Sequence, residues 1–201
     1  MSLYCLIPAK PFDQAKTRLS PLLSRAERAA LSRLLLQRTV RLARTVGEVV
    51  VVSRSNRTRR AAKAAGAWTL IEAGTGLNPA LRQARAWALA QGAEAILVLP
   101  GDLPLLSAAD LRAITQAGRG APAVVIAPCR REEGSNALLL RPPHLIDFHF
   151  GPGSFRRHLA AARRRGIEPA IYRAPNLALD LDLPTDLRRY RAITPPGKAV
   201  V

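Results

Sequence analysis

Three cations crowd one short loop, and three carboxylates stand far from them along the chain. Lys10, Lys16 and Arg18 lie in Pro8-Ala9-Lys10-Pro11-Phe12-Asp13-Gln14-Ala15-Lys16-Thr17-Arg18-Leu19, directly after an apolar run of strand length. Open α/β sheets present ligands at the carboxyl ends of their strands, and clustered positive charge there suits a polyphosphate. Asp102, in Gly101-Asp102-Leu103-Pro104, and Asp180 with Asp182, in Leu179-Asp-Leu-Asp-Leu183, are oxygen donors of the kind that hold the Mg²⁺ a polyphosphate brings with it. In an extended segment residues 180 and 182 share one face, and adjacent carboxylates repel unless a cation joins them. Together the two groups suggest a nucleotide-using transferase. Each has a plainer account when taken alone: a solvated basic loop, a turn built on Asp and Pro, and a surface edge strand.

Two glycine motifs add candidate ligand contacts. Gly74-Thr75-Gly76-Leu77-Asn78 precedes a helical pattern, so its backbone can meet a base or ribose, and Asn78 can equally be a helix N-cap. In Phe150-Gly151-Pro152-Gly153-Ser154-Phe155 the glycines permit close backbone approach. Ser154 there offers a hydroxyl and the free N–H groups of a helix start, which make an anion site. A capped helix after a tight turn is the alternative. Ser135, in Gly134-Ser135-Asn136, can add a second hydroxyl to the same anion, although turn chemistry explains it too. His144, His149 and His158 lack ligand spacing, and only His158, one turn beyond Ser154, is placed to reach a ligand.

These residues need a frame that brings them together. The pattern predicts strands at 4–8, 48–53, 68–72, 95–100 and 123–127. They are separated by helices from Ser24, marked by the capping box Ser24-x-x-Glu27, from Arg57, from the Gly74 motif and from Ser107. Continuous apolar strands alternating with helices imply a mostly parallel sheet covered on both faces. After Ala127 the rhythm changes to a strand at 136–141, a helix from Ser154 to Arg165, a strand at 169–172 and an extended segment at 178–183. The expected organisation is a single α/β domain over residues 1–194 with a frayed, disordered tail at 195–201.

Composition excludes several classes. At 201 residues, 48% hydrophobic and mean hydropathy +0.02, the chain can bury one substantial core. Its longest apolar runs fall far short of the roughly 18 residues that span a bilayer, and the N-terminus lacks the pattern of a secretory signal. A cytoplasmic protein with no membrane partner is expected. Cys5 and Cys129 have no metal-ligand spacing and read as ordinary thiols. The net charge of +17 invites a nucleic-acid reading, but only four of the 31 cations are lysine, and the arginines spread over nearly every predicted helix. Nine aromatic residues are too few to interleave with them as stacking platforms, so no nucleic-acid partner is expected. Two of the four lysines fall in the first loop, and a compact ammonium kept there points to a specific phosphate contact.

The motifs from Pro8-Ala9-Lys10 and Ala15-Lys16-Thr17-Arg18-Leu19, through Gly76-Leu77-Asn78, Gly101-Asp102-Leu103-Pro104 and Gly134-Ser135-Asn136, to Phe150-Gly-Pro-Gly-Ser154-Phe-x-x-His158 and Asp180-Leu-Asp182, resemble the 2-phospho-L-lactate guanylyltransferase family, CofC and its phosphoenolpyruvate and 3-phosphoglycerate relatives. The likeness runs from about Leu3 to Tyr190. The chain departs from the wider nucleotidyltransferase group in carrying Lys10 where a glycine-rich loop is usual, which favours this subgroup. The resemblance implies a single-domain, Rossmann-like, GT-A-like nucleotidyltransferase that uses GTP and Mg²⁺ in the making of deazaflavin coenzyme F-420. It implies Lys10, Lys16 and Arg18 on the triphosphate, with Ala9, Lys10, Gly76, Leu77 and Asn78 around the nucleotide. It also implies Ser135, Gly151 and Ser154 on the acceptor acid, and Asp102, Asp180 and Asp182 on the metal. Another nucleotide, a sugar-phosphate acceptor and a homodimer all stay open at this point.

Overall fold

The computed structural model describes residues 2–194. The tail expected at 195–201 lies outside the described residues. Strands β1 (Leu3–Pro8), β2 (Glu48–Ser53), β3 (Trp68–Ile71) and β4 (Ala95–Val98) alternate with helices α1 (Arg25–Ala43), α2 (Asn56–Ala64) and α3 (Leu77–Ala90). There follow α4 (Ala108–Ala117), β5 (Ala123–Pro128), β6 (Ser135–Arg141), α5 (Ser154–Arg163), β7 (Ala170–Ile171), α6 (Pro175–Ala178) and α7 (Pro184–Ile193). All seven strands join one sheet in the order β3-β2-β1-β4-β6-β5-β7. Among them only β6 runs against the rest, antiparallel to β4 on one side and to β5 on the other.

Sequence patterning explains the layering. Alternate residues of the central strands point to opposite faces, and both sets are apolar. Cys5, Ile7, Val49, Val51 and Leu97 pack under α1 and α4, while Leu6, Val50, Val52, Ile96 and Val98 pack under α3 and α5. Burying each large aliphatic side chain stabilises the fold by about 1.5–3 kcal/mol. The capping box at the start of α1 forms as expected: the Glu27 N–H donates to Ser24 Oγ at 3.3 Å, and the Ser24 N–H donates to Glu27 Oε2 at 2.7 Å.

A third apolar cluster matters most for the site. Leu19, at the end of the basic loop, packs with Leu31 and Leu35 of α1, with Leu179 and Leu181, and with Leu187 and Tyr190 of α7. Residues 178–183 do not form the edge strand that was the plainer account of the two aspartates. Ala178 ends α6 and the rest is irregular, anchored by the Leu181 N–H, which donates to the Asp102 carbonyl at 3.3 Å. The alternation nevertheless persists locally, since Leu179 and Leu181 are buried while Asp180 and Asp182 are half-buried on the other side. Helix α7 was not anticipated. Its signals were present in Pro184, in the first turn, and in Asp186, whose carboxylate accepts from the Leu183 N–H at 2.7 Å.

Candidate active site

β1 leads to β2 on one side and has β4 on the other, so the strand order reverses beside it and leaves a crevice at the carboxyl ends of β1 and β4. The basic loop leaves β1 there and Asp102 follows β4. The loop is more ordered than its sequence suggested, because two 3₁₀ turns, Phe12–Gln14 and Thr17–Leu19, fold it back. Between them Lys16 adopts a left-handed backbone with φ of 55°. A residue with a Cβ pays about 1–2 kcal/mol for that conformation, and here the surroundings hold it. The Lys16 ammonium lies 3.0 Å from Asp102 Oδ2 and 3.5 Å from Asp182 Oδ1, with its side chain only 4% exposed. Burial opposes the charge, but Asp102 and then Asp182 outweigh it, so the lysine pKa stays above its ordinary value. Asp180 sits close behind: burial first, and then the negative charge of Asp102, push its carboxyl up to about 6.

A cavity of about 640 Å³ opens on this crevice. It brings together Ala9, Lys10, Lys16, Gly76, Leu77, Asp102 and Asp182 of the expected residues. Arg18, Asn78 and Asp180 are not on its wall, and Arg18 stands exposed on the second 3₁₀ turn. Nor do the three aspartates converge as a ready-made ligand set, for among the described residues no three Asp, Glu, His or Cys side chains are grouped for a metal. The physical reason is that the Lys16 ammonium fills the space between Asp102 and Asp182. The same contact shows that these carboxylates suit a cation, and their all-oxygen donor set suits Mg²⁺.

The cavity also has walls that sequence inspection missed. Arg54, just after β2, makes a bidentate pair with Glu72, just after β3, with Nε and Nη2 each 3.1 Å from a carboxylate oxygen. Both line the end of the cavity away from Asp102. Their signal was positional, since Glu72 follows β3 as Asp102 follows β4. A second hollow, of about 550 Å³, is a shallow basic surface on α5 around Arg156, Arg163 and Arg164.

Ser135, Gly151 and Ser154 form a separate group beside the antiparallel strand. The Ser135 N–H donates to Ser154 Oγ at 2.9 Å, which locks the start of β6 to the start of α5. Gly151 and Gly153 have φ of 121° and 69°, conformations a side chain would strain, and so the loop needs glycine at both places. Two of the N–H groups expected to be free at this helix start are engaged. Gly153 is the N-cap, the Ser154 N–H is taken by the Gly151 carbonyl and the Phe155 N–H by the Glu133 carbonyl. The Ser135 and Ser154 hydroxyls lie beside them. His158, the histidine best placed to reach a ligand, is fully buried against Ser135.

Helix α3 ties the two groups together. Asn78 is not its N-cap, a place taken by Gly76 with φ of 103°. Asn78 instead brackets Phe150, with Nδ2 donating to the Phe150 carbonyl at 3.1 Å and Oδ1 accepting from its N–H at 2.9 Å. Two turns further, the Arg85 guanidinium donates to the Ile146 carbonyl at 3.1 Å and pairs with Asp147 at 3.2 Å. The glycine loop that borders the cavity therefore also holds the Phe150-Gly-Pro-Gly loop.

This architecture, a mostly parallel seven-stranded sheet with helices on both faces, is the GT-A-like nucleotidyltransferase fold. The solved 4-diphosphocytidyl-2C-methyl-D-erythritol synthase superposes with a TM-score of 0.64, covering 95% of this chain and 98% of that one at 18% identity. The chain belongs to the CofC-like guanylyl transferase family, which matches residues 3–190, and is thus an enzyme of the nucleotidyltransferase class. It is 44% identical to the phosphoenolpyruvate guanylyltransferase of Rubrobacter xylanophilus over 96% of this chain and 95% of the relative. It is 36% identical to the 2-phospho-L-lactate guanylyltransferase of Methanothermobacter thermautotrophicus over 93% and 83%. Among the described residues, no helix is long and apolar enough to cross a membrane.

Proposed function

We propose that this enzyme transfers GMP from GTP to the phosphate of a small phospho-carboxylic acid, with phosphoenolpyruvate as the acceptor, and releases pyrophosphate. The product would enter the making of deazaflavin coenzyme F-420 in the cytoplasm. The observation that carries the reading is the Lys16 ammonium held between Asp102 and Asp182 at the sheet's reversal point. A buried cation and two carboxylates in one crevice form a site that can take a polyanion and a metal together.

The second pKa of a phosphomonoester is roughly 6, so near neutral pH the acceptor oxygen is already a nucleophilic anion and needs no general base. That oxygen attacks the α-phosphorus of GTP, the bond from the α-phosphorus to the bridging oxygen breaks, and pyrophosphate leaves with the electron pair. Asp102 and Asp182, with Asp180 behind them, would hold Mg²⁺, which supplies charge neutralisation to the triphosphate. Lys10 and Lys16 face the same cavity and offset the repulsion between two anions. Ser135 and Ser154 hold the acceptor acid. Glu72 lies across β2 and β1 from the end of β4, three strand spacings or roughly 14 Å away, the length scale of a nucleoside triphosphate. Each of its oxygens keeps a lone pair beyond the one given to Arg54, a pattern that suits the N1–H and 2-amino donors of guanine.

Purified protein with Mg²⁺ and GTP, CTP, ATP or UTP, combined in turn with phosphoenolpyruvate, 2-phospho-L-lactate and 3-phosphoglycerate, tests this directly. Pyrophosphate release with GTP and phosphoenolpyruvate, and a product mass of the guanylylated acid, are expected. Absence of pyrophosphate in every combination would sink the reading.

A further inference from the structure

A serine hydroxyl has one hydrogen and two lone pairs, so an anion site built on hydroxyls works only if each hydrogen turns towards the anion. The surroundings of Ser135 decide that direction. His158 is fully buried, with Nε2 3.0 Å from the His149 backbone nitrogen and Nδ1 2.9 Å from Ser135 Oγ. A peptide N–H can only donate, so Nε2 is the bare nitrogen and the ring hydrogen sits on Nδ1. Nδ1–H then donates to Ser135 Oγ, and the Ser135 hydrogen cannot point back at the ring. Next to it, Ser154 Oγ accepts from the Ser135 N–H, which sends its own hydrogen elsewhere as well. Among the described residues neither hydroxyl hydrogen has a protein acceptor.

We propose that His158 is a positioning residue for the acceptor site, its Nδ1–H tautomer turning the Ser135 hydrogen outward so that Ser135 and Ser154 form a paired donor for the phospho-acid. This rests on the acceptor site described above. Three further features keep the ring in that role. Burial first, and then the charges of His149 and Arg157, hold the imidazole down to about 3, so it is neutral wherever the phosphate is ionised. The Phe150 ring meets it edge-on with centroids 4.8 Å apart and fixes its plane. Its Nε2 ties down the His149 N–H while Asn78 ties down Phe150, so the hydroxyl pair and the loop beside it share one support.

Two conservative substitutions separate this role from simple packing. In His158→Asn the amide nitrogen replaces Nδ1 as donor to Ser135, whereas in His158→Gln the amide oxygen replaces Nε2 as acceptor from His149. Steady-state kinetics on the full chain should show Ser135→Ala raising the KM for phosphoenolpyruvate about tenfold or more, the scale of a hydrogen bond to a charged group. His158→Gln should match it and His158→Asn should stay within about threefold of wild type, with the KM for GTP within about twofold throughout. In a Ser135→Ala background, His158→Gln should add nothing. Equal effects of Asn and Gln, or a Gln effect that survives Ser135→Ala, overturn the positioning role and leave the acceptor site standing. An unchanged KM in Ser135→Ala removes the acceptor site, and the positioning role with it. If the variants fold poorly, ¹⁵N-histidine NMR of the unmutated protein gives the answer: an Nδ1-protonated His158 that shifts when phosphoenolpyruvate is added supports the proposal, and an Nε2-protonated ring overturns it.

Discussion

In the proposed reaction, the cavity beside β1 and β4 and the serine pair beside β6 would hold anions by opposite means. The cavity beside β1 and β4 uses charge, with Lys10 exposed and Lys16 balanced between two carboxylates in a strained backbone. The acceptor side beside β6 and α5 uses neutral groups that are buried and pinned, Ser135, Ser154 and His158, each with a fixed hydrogen-bond partner. A charged site binds from a distance and tolerates loose geometry, because Coulomb attraction falls slowly with separation. A hydroxyl site acts only at hydrogen-bond range and needs its geometry set in advance. The triphosphate and its metal suit the first arrangement, and a small acid that must aim one oxygen at phosphorus suits the second.

The largest expected effects lie on the charged side. Asp102→Asn or Asp182→Asn should lower kcat by about 10²–10³-fold, as removal of one electrostatic stabiliser usually does, with the circular dichroism spectrum unchanged. Wild-type turnover in both would break the contrast, because the charges would then be structural. Substitution at the base end is gentler. Glu72→Gln should raise the KM for GTP about tenfold and the KM for ITP, which lacks the 2-amino group, much less, since a bidentate base contact is worth about 1–3 kcal/mol. An unchanged ratio of GTP to ITP would move base recognition elsewhere in the cavity.

Asn78→Ala tests the joint between the two regions. It removes both hydrogen bonds to Phe150, and the expected result is a several-fold rise in the KM for the acceptor with a destabilisation of about 1–2 kcal/mol in urea unfolding. A rise confined to the KM for GTP would instead return Asn78 to the nucleoside, the role its motif suggested.

The same contrast explains what could be read from sequence. Lys10, Lys16 and Asp102 were legible because charge type and position at strand ends are written in one dimension, and the parallel sheet followed from continuous apolar strands such as Val49–Val52. The pairing of Lys16 with Asp182 was not, because a packing cluster of Leu19, Leu179 and Leu181 creates it across 166 residues. His158 was legible as a residue near Ser154, yet its direction was not. Helical spacing fixes which face a side chain occupies, and only the packed partner, here the start of β6, decides whether that face is wet or dry. Glu72 and Arg54 were missed because a salt bridge between two strand ends has no local pattern.

Acid should act on the neutral side in a way the kinetics do not show. The folded pKa of His158 is depressed to about 3 while the unfolded chain titrates at 6.5, so the unfolded state gains a proton first as pH falls. The stability this group contributes is complete above pH 6.5 and is lost progressively below it. Between pH 7.5 and 5.5 the loss is about 1.4 kcal/mol, and it depends little on how far below 5.5 the folded value lies. Asp180 works in the opposite direction, because its raised pKa lets the folded state take up a proton as pH falls towards 6. The measurement is therefore the difference between wild type and His158→Asn in urea unfolding at the two pH values. Wild type should lose about 1.4 kcal/mol more than the variant over that interval. Parallel losses would mean that His158 takes up a proton in the folded protein, and the acceptor side would then be charged like its neighbour.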